Sequence, residues 1–203
     1  MKYKAPETLD TGGGNWLRAA GTYHLVITAA EENPETKAGK IRDGFAATCQ
    51  TLDGTVRDEN DVFTERDKTV TLFFRNPQLT DKNEGLFARQ KQGKFFVATG
   101  LMTEEQVGQS MDIDLDDCIG RQVIATLEAE AGDNGMVFLD LHFSDIWHID
   151  DPAASKFPKC QKSIGLVPKA HRRDPKSFEK AESKAKGKPK AKAKPESVDL
   201  DDL

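Results

Sequence analysis

A mainly β domain is predicted by three features of the sequence. Three runs alternate apolar with polar side chains, one stretch follows them at helical spacing, and two more alternating runs close the series, all within about 130 residues. From Gly21, GTYHLVITAAEE sets Tyr23, Leu25 and Ile27 on one face and His24, Val26 and Thr28 on the other. ENPETKAGK is a polar turn segment, and IRDGFAATCQTL then turns Phe45, Ala47 and Cys49 inward, so a second strand pairs with the first and ends at the Asp53-Gly54 turn signal. DKTVTLFFR gives a third strand, with Val70, Leu72 and Phe74 inward and Thr71, Phe73 and Arg75 outward. Pro77 stops it.

NEGLFARQKQGKFFVATGLM reads as a helix, with Phe87, Ala98 and Leu101 near one face and Gly100 as its C-terminal cap. Lys91 and Lys94 fall on that same face, and FFVA also reads as a short strand. Thr103 with Gln106 is a capping-box pattern that opens a further short turn. RQVIATLEAE lines up Val123, Ala125, Leu127 and Ala129, MVFLDLHFSDI lines up Val137, Leu139, Leu141 and Phe143, and GDNG beside them completes a β-hairpin. Five short strands with a helix between the third and fourth is the chain order of an OB-fold, a partly open barrel that binds oligonucleotides or oligosaccharides.

The 203 residues suit one domain with a real core. The expected division is an N-terminal arm over 1–20, the OB-fold domain over 21–150, a C-terminal extension over 151–175, and a disordered basic linker with an acidic tip over 176–203. The arm holds GGG at 12–14 and one aromatic anchor, Trp16. Its glycines are no phosphate loop, because no GK[ST] follows them. The tail has no large apolar side chain between Phe178 and Val198 and cannot offset the entropy of ordering it.

The net charge of −5 is unevenly spread: residues 169–194 carry 11 Lys/Arg against three acids, residues 195–203 carry four acids, and the remainder holds 18 Lys/Arg against 27 Asp/Glu. A body at −9 meets a polyanion only through a local patch. Cys49, Cys118 and Cys160 are odd in number, far apart and without a CxxC pair, so reduced thiols in a cytoplasmic protein are expected. No apolar run is long enough to span a membrane, and no cofactor is called for.

AGTYHLVITAAEE near the start, the helix ending VATGLM, CIGRQVIATLEAE and the closing LHFSDIWHID resemble an uncharacterised family of phage and prophage OB-fold single-stranded DNA-binding proteins, found among replication and recombination functions. The resemblance runs from about Gly21 to Ile149 and brings no catalytic signature. Separately, the basic-then-acidic tail resembles bacterial and phage single-strand-binding proteins, whose C-terminus ends in an acidic tip with a terminal hydrophobic residue, often phenylalanine; here it is Leu203. The resemblance implies partners of two kinds: single-stranded DNA, and replication or recombination proteins captured by Asp199, Leu200, Asp201, Asp202 and Leu203. A homo-oligomer is left open.

Strand binding without sequence preference needs cations along the phosphates and aromatic faces for the bases. The strand phases leave Phe73 and Phe138 opposite the core, with Arg75 next along from Phe73. Phosphate contacts are expected from Lys37, Lys40 and Arg42 at the first turn, from Arg57, Arg66 and Lys68 before the third strand, and from Lys91, Lys94 and Arg121. MDIDLDDCIG gathers Asp112, Asp114, Asp116 and Asp117, but it lacks the loop glycine, and Val123 stands where a bidentate glutamate belongs. A solvated connector is the expectation there. His24, His142 and His148 sit at strand positions without partners at ligand spacing, and Trp147 is expected to close the barrel. The reading is therefore a non-catalytic strand-binding protein. Its rivals are a phage nuclease or nucleotide-processing enzyme using Asp112 to Asp117, and an interaction adaptor that no longer binds DNA.

Overall fold

The computed structural model describes residues 15–36, 38–56, 65–78, 85–131 and 137–178. It is mainly β: β1 (Gly21–Glu32), β2 (Gly44–Val56), β3 (Thr69–Arg75), β4 (Gln122–Ala131) and β5 (Val137–His148) form one antiparallel sheet in the order β3-β2-β1-β4-β5. Between β3 and β4 runs the helix α1 (Leu86–Thr99). The expected order of three strands, a helix and two strands is present.

Alternation accounts for the first three strands. Tyr23, Leu25, Ile27, Phe45, Ala47, Cys49, Val70, Leu72 and Phe74 are all buried in one core. In β1 the register shifts between Ile27 and Ala29, after which Ala30 pairs with Ala47 and packs on the core. Such a bulge bends the strand while its apolar side stays inward. The expected end of β2 at Gly54 is not found: Gly54 pairs with Tyr23 inside the ladder, and a Cβ built there would lie 2.1 Å from the Tyr23 ring. That glycine serves close packing and not a turn.

The arm docks at Trp16 as expected, with Trp16 bridging Thr69, but not through the tryptophan side chain. Leu17 is buried and its N–H donates to the Thr69 carbonyl at 2.8 Å, while Trp16 is 54% exposed. Leu17 is the anchor, because its side chain enters the core beside the edge of β3.

FFVA is helical, not extended. Phe95, Ala98 and Thr99 are the buried residues of α1, whereas Phe87, assigned to the inward face, is exposed. Phe95 takes the inward place because it meets Phe74 at 4.5 Å, and Phe74 in turn stacks on Phe45 at 4.7 Å between ring centroids. Gly100 ends the helix in the left-handed conformation, and Thr103 with Gln106 closes a capping box. Gln92 donates to the Arg75 carbonyl of β3 and Lys91 pairs with Asp140 of β5, so α1 bridges the two edges of the sheet. β3 and β5 also approach each other, and the sheet curls.

β4 and β5 pair as expected, with the residues between them outside the described set. Ala125 pairs with Ile146 but Leu127 with Leu141, so β5 bulges over 142–145 and its inward phase changes from odd to even residues. Val123 to Leu127 are all buried, while Ala129, expected inward, is exposed, although Leu139 across from it packs against the core.

The outer side of β1, β4 and β5 is covered by the chain after β5. Phe157 packs on Trp147, which pairs with Ile124, so this tryptophan serves the covering segment. The Cys160 N–H donates to His24 Nδ1 at 3.1 Å, Gln122 donates to the Ser163 carbonyl at 3.2 Å, and Arg172 grips Asp150 through several contacts. The described chain ends on Phe178, which is buried near His148. No helix among the described residues is long and apolar enough to cross a membrane.

Candidate nucleic-acid interface

The same alternation that buries one side of β2 and β3 turns Ala46, Thr48 and Gln50 of β2, and Thr69, Thr71, Phe73 and Arg75 of β3, to the other. None of these outward positions is an acid. The hydroxyls run across the strands: Thr28 donates to the Thr48 carbonyl at 3.1 Å, and the Thr48 and Thr71 hydroxyls lie 3.2 Å apart. The covering C-terminal segment makes its named contacts on the outer side of β1, β4 and β5, away from β3.

The chain between β1 and β2 overhangs this surface. Asn33 donates to the Gly44 carbonyl, Arg42 to the Pro34 carbonyl, and Asn76 to both the carbonyl and the carboxylate of Asp43, which ties the turn to the end of β3. Gly44 has φ 139°, and a Cβ there would meet the Phe74 carbonyl at 2.2 Å, so only glycine lets the chain enter β2 this close to β3. Arg42 folds back from that corner, and its guanidinium carbon sits 3.5 Å from the centre of the Phe73 ring, a cation–π contact. Lys40 is exposed in the same turn, Ile41 is 67% exposed beside it, and Arg75 pairs in register with Gly44.

Thus four expected residues, Lys40, Arg42, Phe73 and Arg75, are gathered at one corner of the sheet. The others are dispersed. Arg66 is held by Asp53 at 3.2 Å and Lys91 by Asp140 at 2.6 Å. Arg121 donates to the carbonyls of Asp117 and Thr99, a structural use of its charge. Lys68 is half-buried, with its backbone N–H bonded to Thr51. Lys94 is exposed on the wall of a cavity of about 1040 Å³ between α1, residues 107–113 and the end of β5, whose apolar lining includes Phe96, Val97, Val107 and Met111. Phe138 is 51% exposed, but it pairs with Glu130 beyond the Gly21–Leu127 row, at the opposite end of the sheet from Phe73. Lys37, Arg57 and the tip Asp199 to Leu203 lie outside the described residues.

The acidic segment is built into a turn: Asp114 accepts the Asp116 N–H at 3.0 Å and caps a 3₁₀ turn over Leu115–Cys118. Among the described residues no group of His, Cys, Asp or Glu is placed to hold a metal ion. The thiols of Cys49 and Cys118 are pushed up by burial to about 12 and about 11, so neither is a thiolate at neutral pH. His24 and His148 are pushed down by burial to about 4 and are neutral there. Each uses both ring nitrogens structurally. His24 accepts from Cys160 and donates to Gln122, while His148 accepts from the Asp150 N–H and donates to the His171 carbonyl. Neither is placed as a general base.

The two features that sequence reasoning missed are the Arg42 overhang and the exposure of Ile41. The Gly44 that permits the corner was visible, as was the polar turn before it, but not the direction in which Arg42 returns. No protein-family model matches the chain, and a search of curated proteins finds no match to it.

Proposed function

We propose that this is an OB-type domain that binds single-stranded DNA with little sequence preference on the outer face of β2 and β3, without catalysis. The sheet order, the approach of β3 to β5 and the helix spanning them support the OB connectivity. In that architecture the second and third strands and the adjoining loops carry the ligand. The observation that carries the reading is the corner formed by Arg42, Phe73 and Arg75, beside outward positions 46, 48, 50, 69 and 71 of β2 and β3 that hold no acid, in a body of net charge −9. Phe73 offers a base-stacking ring and the cations offer phosphate contacts, the two requirements of sequence-tolerant strand binding. In this proposal the acidic tip recruits replication or recombination proteins, in keeping with the resemblance to phage strand-binding proteins.

A salt-titrated gel shift on single- and double-stranded oligonucleotides, with and without magnesium, tests it. Strand-selective binding that weakens with salt and leaves the DNA intact is expected. Magnesium-dependent cleavage would favour the nuclease reading, and absence of binding would favour the adaptor.

A further inference from the structure

The Phe73 ring is not open. At 3.5 Å from the ring centre, the Arg42 guanidinium is in van der Waals contact with the outward face, so a nucleobase cannot stack there while it remains. We propose that Arg42 is an exchangeable lid: on binding, a base displaces it from Phe73, and the released guanidinium takes the phosphate beside that base. This rests on the reading of the β2–β3 face as a single-strand site.

Three observations carry it. First, the backbone under Arg42 is fixed. Its own N–H is bonded to Pro34 and the next residue is tied to Asn76, so the movement is confined to the side chain. Second, among the described residues no carboxylate pairs with Arg42, whereas Arg66 and Lys91 are each held by one. The ring is therefore what the guanidinium gives up. Third, the exchange favours the bound state. An exposed arginine–ring contact is worth about 2- to 5-fold in an equilibrium constant, and a base–aromatic stack about 5- to 150-fold. A planar guanidinium suits both positions, since it lies flat on a ring and also meets phosphate oxygens in pairs.

The lid has a physical consequence for selectivity. A duplex presents phosphates but no unstacked base, so it cannot displace Arg42 by stacking, and the corner then contributes little to duplex binding.

The test uses the full chain and oligothymidylate. Ring current shifts the Arg42 side-chain protons upfield in the free protein, with Arg42→Lys providing the assignment. Saturation with oligothymidylate is expected to abolish that shift. In parallel, affinities for oligothymidylate and for an abasic strand of equal length are measured against salt. Arg42→Ala is expected to lower the salt slope for oligothymidylate by about 1, through the lost phosphate contact. The slope for the abasic strand is expected to stay unchanged, because the guanidinium leaves the ring for phosphate only when a base takes its place. Phe73→Leu, which keeps an apolar side chain, is expected to bring the ratio of base-bearing to abasic affinity toward one. An Arg42 signal that stays upfield in the saturated complex overturns the exchange, as does a salt slope that Arg42→Ala lowers equally for the two strands. If the protein binds with no preference for base-bearing strands, the exchange fails while strand binding stands. If it binds neither strand, both fall.

Discussion

Phe73 is where loss of a single ring separates binding from stability most cleanly, because it faces away from the buried Leu72 and Phe74 on either side of it. Phe73→Ala is expected to weaken single-strand affinity by about 1–3 kcal/mol, measured by fluorescence anisotropy. Its denaturation midpoint should move far less than that of Phe74→Ala, since Phe74 sits at the centre of the aromatic cluster. The buried histidines act on stability instead. His24 and His148 are lowered from the ordinary value of 6.5 to about 4 in the folded chain, so between those limits the unfolded chain binds more protons. Their stabilisation is complete above about pH 6.5 and is lost as pH falls toward 4, on the order of 2–3 kcal/mol for each. Urea titrations from pH 7.5 to 4 should show this slope. In His24→Gln the His24 share should disappear, so a slope unchanged in that variant would put the titration elsewhere.

Among the elements, legibility followed whether the outward side chains were polar. β3 alternates in burial, with Thr71 and Arg75 exposed, whereas β1 is buried on both sides from Gly21 to Leu25 and was legible only because Thr22 and His24 are polar. In β4 the run from Val123 to Leu127 is buried on both sides, so period two disappears and Ala129 looks inward by extrapolation alone. Bulges erase phase altogether, as at 142–145, where one face of β5 becomes the other. Gly54 misled for a different reason: glycine after aspartate marks turns, and equally marks places where a ring lies against backbone. That ring makes a strong prediction. Gly54→Ala drives a methyl into Tyr23 and should destabilise the fold by about 1–3 kcal/mol, read as a lower urea midpoint. A midpoint unchanged within error would mean that the strands separate freely there. In the candidate interface, Phe73 and Arg75 were legible from strand phase, but their convergence with Arg42 depends on a corner that periodicity does not describe.

For the molecule as a whole, the asymmetry of charge governs how binding responds to salt. Removing Val198 to Leu203 deletes three of the four acids of the tip. If the tip competes with DNA for the cations of the body, that truncation should raise single-strand affinity at low salt, and the gain should shrink as the screening length falls toward about 8 Å at physiological ionic strength. Deleting Lys184 to Lys194 while keeping the tip should weaken binding instead; equal affinities for both deletions and the full chain would remove the tail from the DNA-binding account. The pairing of β1 with β4 has a further consequence, one of time. Gly21 meets Leu127 across more than half the chain, and His24 meets Cys160 across 136 residues. At a synthesis rate of about 5–20 residues per second, the partner of β1 follows it by roughly 5–20 s. For that interval one flank of β1 is an open template for any strand nearby, so a nascent chain halted before Gln122 should aggregate, and the late-made C-terminal segment then seals the outer side of a sheet already assembled.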